Sequence, residues 1–129
     1  MRTFVSRLLG AIVFMLSMPA LATLDIAMDG ACPLGVSDSS PQPNCPPQAA
    51  CRSRGNTVHW RRDDGGNFSL NFYGAESQIF ENWGQGNCQS NSNSGGQLVC
   101  KIAADAQAND YKYDVEAEGC VLDPRLIIR

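Results

Sequence analysis

The side chains in this 129-residue chain best suited to acid–base, nucleophilic or metal chemistry are one histidine, six cysteines and thirteen carboxylates. A Ser-His-Asp or Cys-His site needs an imidazole as base, and only His59 offers one. It lies in the middle of an alternating run, and the chain has no Gly-x-Ser-x-Gly turn, so His59 reads as an ordinary outward strand residue. Structural zinc favours close Cys and His pairs, whereas Cys45 and Cys51 are not followed by a second pair at such spacing. Asp63-Asp64-Gly65 opens like a calcium loop, but the remaining carboxylates of that pattern are missing, and a tight turn accounts for it. Asp114 and Glu116 are two apart and would point the same way from a strand, as a carboxylate-only site requires. Alternating charge is equally what the outer side of a soluble strand carries. Trp83, in Glu81-Asn82-Trp83-Gly84-Gln85-Gly86-Asn87, could be a ligand platform on a rim loop. The more ordinary use of such a ring is to plug the end of a core.

Positioning these residues falls to short strands. Leu24, Ile26 and Met28 alternate with polar or small residues, the period of a half-buried strand. Residues 30–48 are rich in Gly, Pro, Ser and Asn, including Pro33, Pro41, Pro43, Pro46 and Pro47, and read as a loop. A short strand over Gln48–Ser53 turns at Arg54-Gly55-Asn56 into Thr57–Arg62, with Val58 and Trp60 on one face and His59 and Arg61 on the other. Asp63-Asp64-Gly65-Gly66-Asn67 then predicts a hairpin into Phe68, Leu70 and Phe72. Ile79, Phe80 and Trp83 have the spacing of one helical turn or a packed loop, and 87–97 is a polar loop. Alternation returns at Leu98, Cys100, Ile102 and Ala104, then at Tyr111, Tyr113, Val115 and Ala117, and a last strand covers Leu126–Arg129. About seven short strands without a long helix predict an all-β fold, a single-domain antiparallel β-sandwich, disulfide-stapled, for which an immunoglobulin-like arrangement is one form.

The N-terminus sets the compartment. Arg2 and Arg7 precede the apolar run Leu8–Met18, Pro19 ends it, and Ala20-Leu21-Ala22 suits a signal peptidase. The run is too short for a membrane span, so residues 1–22 read as a signal peptide and 23–129 as a periplasmic or secreted domain. Without Arg2 and Arg7, eight Lys/Arg face thirteen Asp/Glu, a net charge of −5. That balance argues against nucleic acid, whose phosphates demand a basic surface, and against membrane attachment after cleavage.

An even cysteine count in a small exported chain predicts disulfides. Cys88 and Cys100 flank the 89–99 stretch, which has no apolar anchor before Leu98, and are expected to pair. The other four allow three pairings, of which Cys45–Cys51 and Cys32–Cys120 are preferred. The strand faces are occupied by core building and solvation, whereas residues 76–97 combine Phe80 and Trp83 with glycines and amides. Partner contact is therefore expected on that rim, at Phe80, Trp83, Gln85 and Asn87.

Asn56-Thr57-Val58-His59-Trp60 resembles the G-x-x-V-x-W strand of cupredoxin-like domains. Tyr111-Lys112-Tyr113-Asp114-Val115, with Leu122-Asp123-Pro124-Arg125-Leu126-Ile127-Ile128, resembles their closing strands in small exported bacterial proteins. The resemblance implies an eight-stranded Greek-key sandwich. Copper-binding members use an upstream His, then Cys, His and usually Met around the last loop. Here that loop reads Glu118-Gly119-Cys120-Val121-Leu122, without histidine, and the only methionine after the leader is Met28 on the first strand. A blue-copper centre takes two imidazoles and a thiolate, so no copper or other cofactor is expected. The expected function is that of a non-catalytic exported binding or accessory module acting on an envelope protein or glycan. The alternatives are a small carboxylate-based hydrolase acting on polysaccharide and a metal carrier using His59.

Overall fold

The computed structural model describes residues 22–129. All but Ala22 of the segment assigned to the leader lies outside them, and the first strand begins at Thr23. Ten strands and one helical turn are present among the described residues. One layer is a four-stranded sheet in the order β2 (Cys32–Asp38), β1 (Thr23–Asp29), β4 (Thr57–Arg62) and β6 (Gln97–Lys101). The other is built from two three-stranded sheets. The first orders β3 (Ala49–Arg52), β10 (Arg125–Ile128) and β7 (Asn109–Lys112); the second orders β5 (Ser69–Asn71), β8 (Asp114–Ala117) and β9 (Cys120–Leu122). The fold is an all-β sandwich stapled by disulfides, as the alternating runs predict. Five of its strand pairings are antiparallel; β1 with β4 and β3 with β10 run parallel.

The alternation buries one side of each strand. Leu24 and Ile26 from β1, Val58 and Trp60 from β4, and Leu98 and Cys100 from β6 are sealed against Ala50, Leu70, Val115, Leu126 and Ile128 of the opposite layer. Trp60 is the hub. Its ring meets Phe72, Phe80 and Tyr113 edge-on, at centroid distances of 6.2, 5.8 and 6.0 Å, and Phe72 stacks on Tyr113 at 4.5 Å. Edge-to-face contacts are favoured by the ring quadrupoles. The Trp60 Nε1–H donates to the Tyr113 hydroxyl at 3.0 Å, so the buried indole is satisfied across the two layers. Tyr113→Phe should cost about 1–3 kcal/mol because it leaves that N–H buried and unpaired. Replacing Trp60 by Phe in the same protein should make the Tyr113 change nearly neutral, a double-mutant comparison readable from urea unfolding.

Three expectations are corrected. First, β4 and β5 do not form a hairpin: β4 pairs with β1 and β6, and β5 pairs with β8. The turn at 63–67 instead carries the chain from one layer to the other. It is held by the Gly66 N–H on Asp64 Oδ1 and by the Arg62 N–H on the Gly96 carbonyl. Second, the run from Tyr111 to Ala117 is two strands in different sheets. The break is at Tyr113, whose N–H turns to the Pro124 carbonyl at 3.1 Å. Third, the stretch read as a loop over 30–48 contains β2, and Cys120–Leu122 forms β9.

The cysteines pair as Cys88–Cys100, Cys45–Cys51 and Cys32–Cys120, with Cα separations of 4.9, 5.8 and 5.4 Å. The first pair is fully buried in the core. The last joins an edge strand of one layer to an edge strand of the other.

Candidate functional site

The 76–97 rim grows out of the core. Helix α1 (Glu76–Ile79) is a single turn whose entry is fixed by the Phe72 N–H donating to Glu76 Oε1 at 2.9 Å. Ile79 and Phe80 at its end are buried, and Phe80 bridges to Ile102. The chain then laces back onto β6. The Glu81 N–H donates to the Lys101 carbonyl, the Lys101 N–H to Asn82 Oδ1, and the Val99 N–H to the Asn87 carbonyl, all within 2.9–3.0 Å. Between these anchors the Gly84 N–H donates to the Cys88 carbonyl and the Cys88 N–H to the Gln85 carbonyl. Gly84 and Gly86 take φ values of +85° and +53°, which a side chain would resist.

This turn presents Gln85 and Asn87 to solvent, with Trp83 half-buried beside them. The Trp83 ring stacks on Phe80 at 6.0 Å, with 27° between the planes. Trp83 thus packs against the core while staying partly exposed. Phe80 is 1% exposed and belongs to the core, because its bridge to Ile102, just past β6, and its edge contact with Trp60 draw it inward. It lies beneath the Trp83 ring rather than at the surface. Beside α1 an open cleft of about 400 Å³ is lined by Ser77, Gln78, Glu81, Ala103, Gln107 and Tyr111 among others.

The amide-rich second half of the rim is ordered by its backbone. The Leu70 N–H donates to the Ser90 carbonyl, the Ser92 N–H to the Phe68 carbonyl, and the Phe68 N–H to the Ser92 hydroxyl at 2.9 Å. Asn93 Oδ1 then accepts from the N–H groups of Gly95 and Gln97. Such pairing leaves no mark on hydrophobic periodicity. Asn93 two residues before Gly95, a side chain apt to fold back on its own backbone, is the one local signal for it.

The other chemically suited residues are dispersed. His59 is half-buried on the outer face of β4, with Nε2 3.0 Å from Gln97 Oε1 and a buried, unpartnered Nδ1. No group of three His, Cys, Asp or Glu side chains able to hold a metal ion is found among the described residues. Asp114 accepts a hydrogen bond from the Tyr73 hydroxyl, and that bond raises the Tyr73 phenol above its ordinary value. Glu116 and Glu118 border an open groove with Asn67, Ser69, Asn91 and Ser92, and Glu118 is 3.2 Å from the Arg62 guanidinium. Asp64 works for its turn: the Gly66 N–H and then Arg62 hold its carboxyl below the usual range.

No family model matches the sequence, and no curated protein does. Among solved structures, a mutant of amicyanin in its reduced state is similar with a TM-score of 0.45 and 8% identity, over 83% of this chain and 82% of that one. Amicyanin from Paracoccus versutus (Thiobacillus versutus) is similar with a TM-score of 0.42 and 11% identity, over 88% and 86%. Likeness at this level carries nothing about ligands or partners, and the strand pairing itself defines the sandwich.

Proposed function

We propose that this protein is a periplasmic or secreted binding module, without catalysis of its own, that engages an envelope protein or glycan through the Trp83 rim. One observation carries the reading. A partly exposed tryptophan, stacked on a buried phenylalanine and flanked by Gln85 and Asn87, sits in a turn laced to β6 and closed by Cys88–Cys100. Aromatic area presented with its conformational freedom already removed binds at low ordering cost, and adjacent amides supply adaptable hydrogen bonds. Three disulfides fit export, since such bonds persist in oxidising compartments.

Trp83→Ala should weaken partner binding by at least about 1–2 kcal/mol. Its effect on stability should be far smaller than that of a core substitution, because part of the ring already faces water. Capture from envelope extract by immobilised wild-type protein, Trp83→Ala and Gln85→Ala, alongside thermal melts of each, makes the comparison. Retained capture by Trp83→Ala, or a fall in melting temperature of several degrees with binding per folded molecule intact, would make Trp83 a core plug alone.

A further inference from the structure

We propose that Cys32–Cys120 is a thiol–disulfide exchange site, opened by a dithiol while both layers of the sandwich and the other two disulfides stay intact. The three bonds differ sharply in access. Cys88 and Cys100 are each 0% exposed, so their bond cannot be attacked without moving the core, and Cys51 is also 0% exposed, which leaves only the half-buried Cys45 open to attack in its pair. Cys32 is exposed and Cys120 is half-buried. A thiolate must reach a sulfur to displace it, so rate follows access, and exposed disulfides are the labile ones.

Position reinforces access. β2 ends the four-stranded sheet and β9 ends its own sheet, so the bond joins two edges that are not hydrogen-bonded to each other. Each strand keeps its own partner when the bond opens. β2 is paired with β1 from Leu24↔Asp38 to Asp29↔Cys32, and β9 with β8 from Val115↔Leu122 to Ala117↔Cys120. The edges would separate along an existing cleft lined by Leu34, Val36, Leu122 and Pro124, so reduction changes surface without dismantling a sheet.

The flanks suit a protein dithiol. Leu34, two residues from Cys32, is 67% exposed, and Val121, next to Cys120, is 57% exposed. These are two of the three large hydrophobic side chains most open to solvent among the described residues. In the reaction the first thiolate of the dithiol attacks Cys32 Sγ, and Cys120 leaves as a thiolate and takes up a proton. The second thiol of the partner, as thiolate, then displaces Cys32, which takes up a proton in turn. The partner ends as a disulfide, two electrons poorer, and this protein holds two thiols.

Timed alkylation of the folded, oxidised protein in dithiothreitol, with peptide mapping, tests the site. Cys32 and Cys120 should be labelled together at least about tenfold faster than the other four cysteines, with amide protection in β1, β4 and β6 unchanged. Glutathione alone should leave its mixed disulfide on Cys32. With thioredoxin as reductant, Leu34→Ser and Val121→Ser should slow the opening several-fold while the dithiothreitol rate stays the same. Equal or faster labelling of either other pair, or labelling of all six only on unfolding, would overturn the proposal. So would failure of Cys32→Ser/Cys120→Ser to retain native near-ultraviolet dichroism, because the opened state must be folded.

Discussion

Arg52→Ala should destabilise this protein by about 3–5 kcal/mol, the range expected when one partner of a buried ion pair is removed. Arg52 lies at the end of β3, 5% exposed, and its guanidinium grips Asp38 at the end of β2 through two hydrogen bonds of 2.7 and 2.9 Å. The Asp38 side chain is 8% exposed. β3 and β2 belong to different layers, so the pair closes one end of the sandwich with charge rather than hydrocarbon. Alanine at 52 would leave the Asp38 carboxylate in the same enclosure with only the Ser40 N–H to hold it. Asp38→Ala should do comparable harm by stranding the guanidinium, whereas Arg52→Met with Asp38→Leu removes both charges and should recover most of the loss. Urea unfolding of the two single variants and the double variant decides the matter. A double variant as unstable as the worse single would mean that the pair acts through packing.

The same contact sets an acid limit. Burial pushes the Asp38 carboxyl up, but the Arg52 hydrogen bond, the Ser40 N–H and the Arg52 charge together pull it further down, below its ordinary value. A carboxyl depressed in the folded state contributes stability that is fully present above its unfolded value, about pH 4. That stability is lost as pH falls through the folded value. Wild-type stability should therefore decline from about pH 4 downward more steeply than that of Arg52→Met/Asp38→Leu, which lacks this titration.

How much of this could be read from residue order depends on which physical signal marks each feature. Hydrophobic alternation marks burial on one face of a strand, and it located β1, β4 and β6 together with Leu24, Trp60, Leu70, Leu98 and Val115 of the core. It is blind to pairing partners, so the Asp63–Asn67 turn read as a hairpin although Gly96, distant in sequence, directs the chain to the other layer. It also fails where strands carry Pro and Gly. β2 begins Cys-Pro-Leu-Gly, a composition tolerated because the strand is paired on one side only. The buried arginines were legible in part. Arg62 shares its parity with Val58 and Trp60, and Arg52 with Ala50, so each stands on an inward register. Residue type argued outward and parity argued inward; parity prevailed because the enclosed Asp38 meets Arg52, and the exposed carboxylates of Asp64 and Glu118 meet Arg62 from the surface. At the rim, Gln85 and Asn87 are exposed and Trp83 is half-buried in a turn, as a loop reading of that glycine-rich stretch implies. The backbone pairing that stiffens 90–92 against β5 leaves no mark on hydrophobic periodicity, and Asn93 two residues before Gly95 is its one local signal.

Gly96 is the position where the smallest substitution should do the most harm for its size. Its φ is +68°, and a Cβ there would lie 2.5 Å from the Gly66 carbonyl oxygen and 2.8 Å from the Gly65 carbonyl carbon. Both neighbours are backbone, so no side chain can swing aside. The Gly96 carbonyl also accepts the Arg62 N–H at 2.9 Å, while its own N–H donates to the Asn93 carbonyl at 3.0 Å. Relieving the clash therefore means moving the crossover turn or giving up these bonds. A left-handed backbone costs a side-chain-bearing residue about 1–3 kcal/mol, and overpacking against fixed neighbours costs a further 1–3 kcal/mol or so, giving about 2–6 kcal/mol for Gly96→Ala. Gly95 supplies the control. It is not among the positive-φ glycines, and a Cβ there meets only Asn93 Oδ1, at 3.4 Å. Gly95→Ala should fall within about 0.5 kcal/mol of wild type, as surface changes generally do. Because the turn that leans on Gly96 also positions Arg62, Gly96→Ala should in addition lose amide-exchange protection at the Arg62 N–H before β1 loosens. Equal stabilities for the two alanine variants would show that the turn is free to retreat from position 96, and that the crossover is held by the Arg62 ion pairs instead.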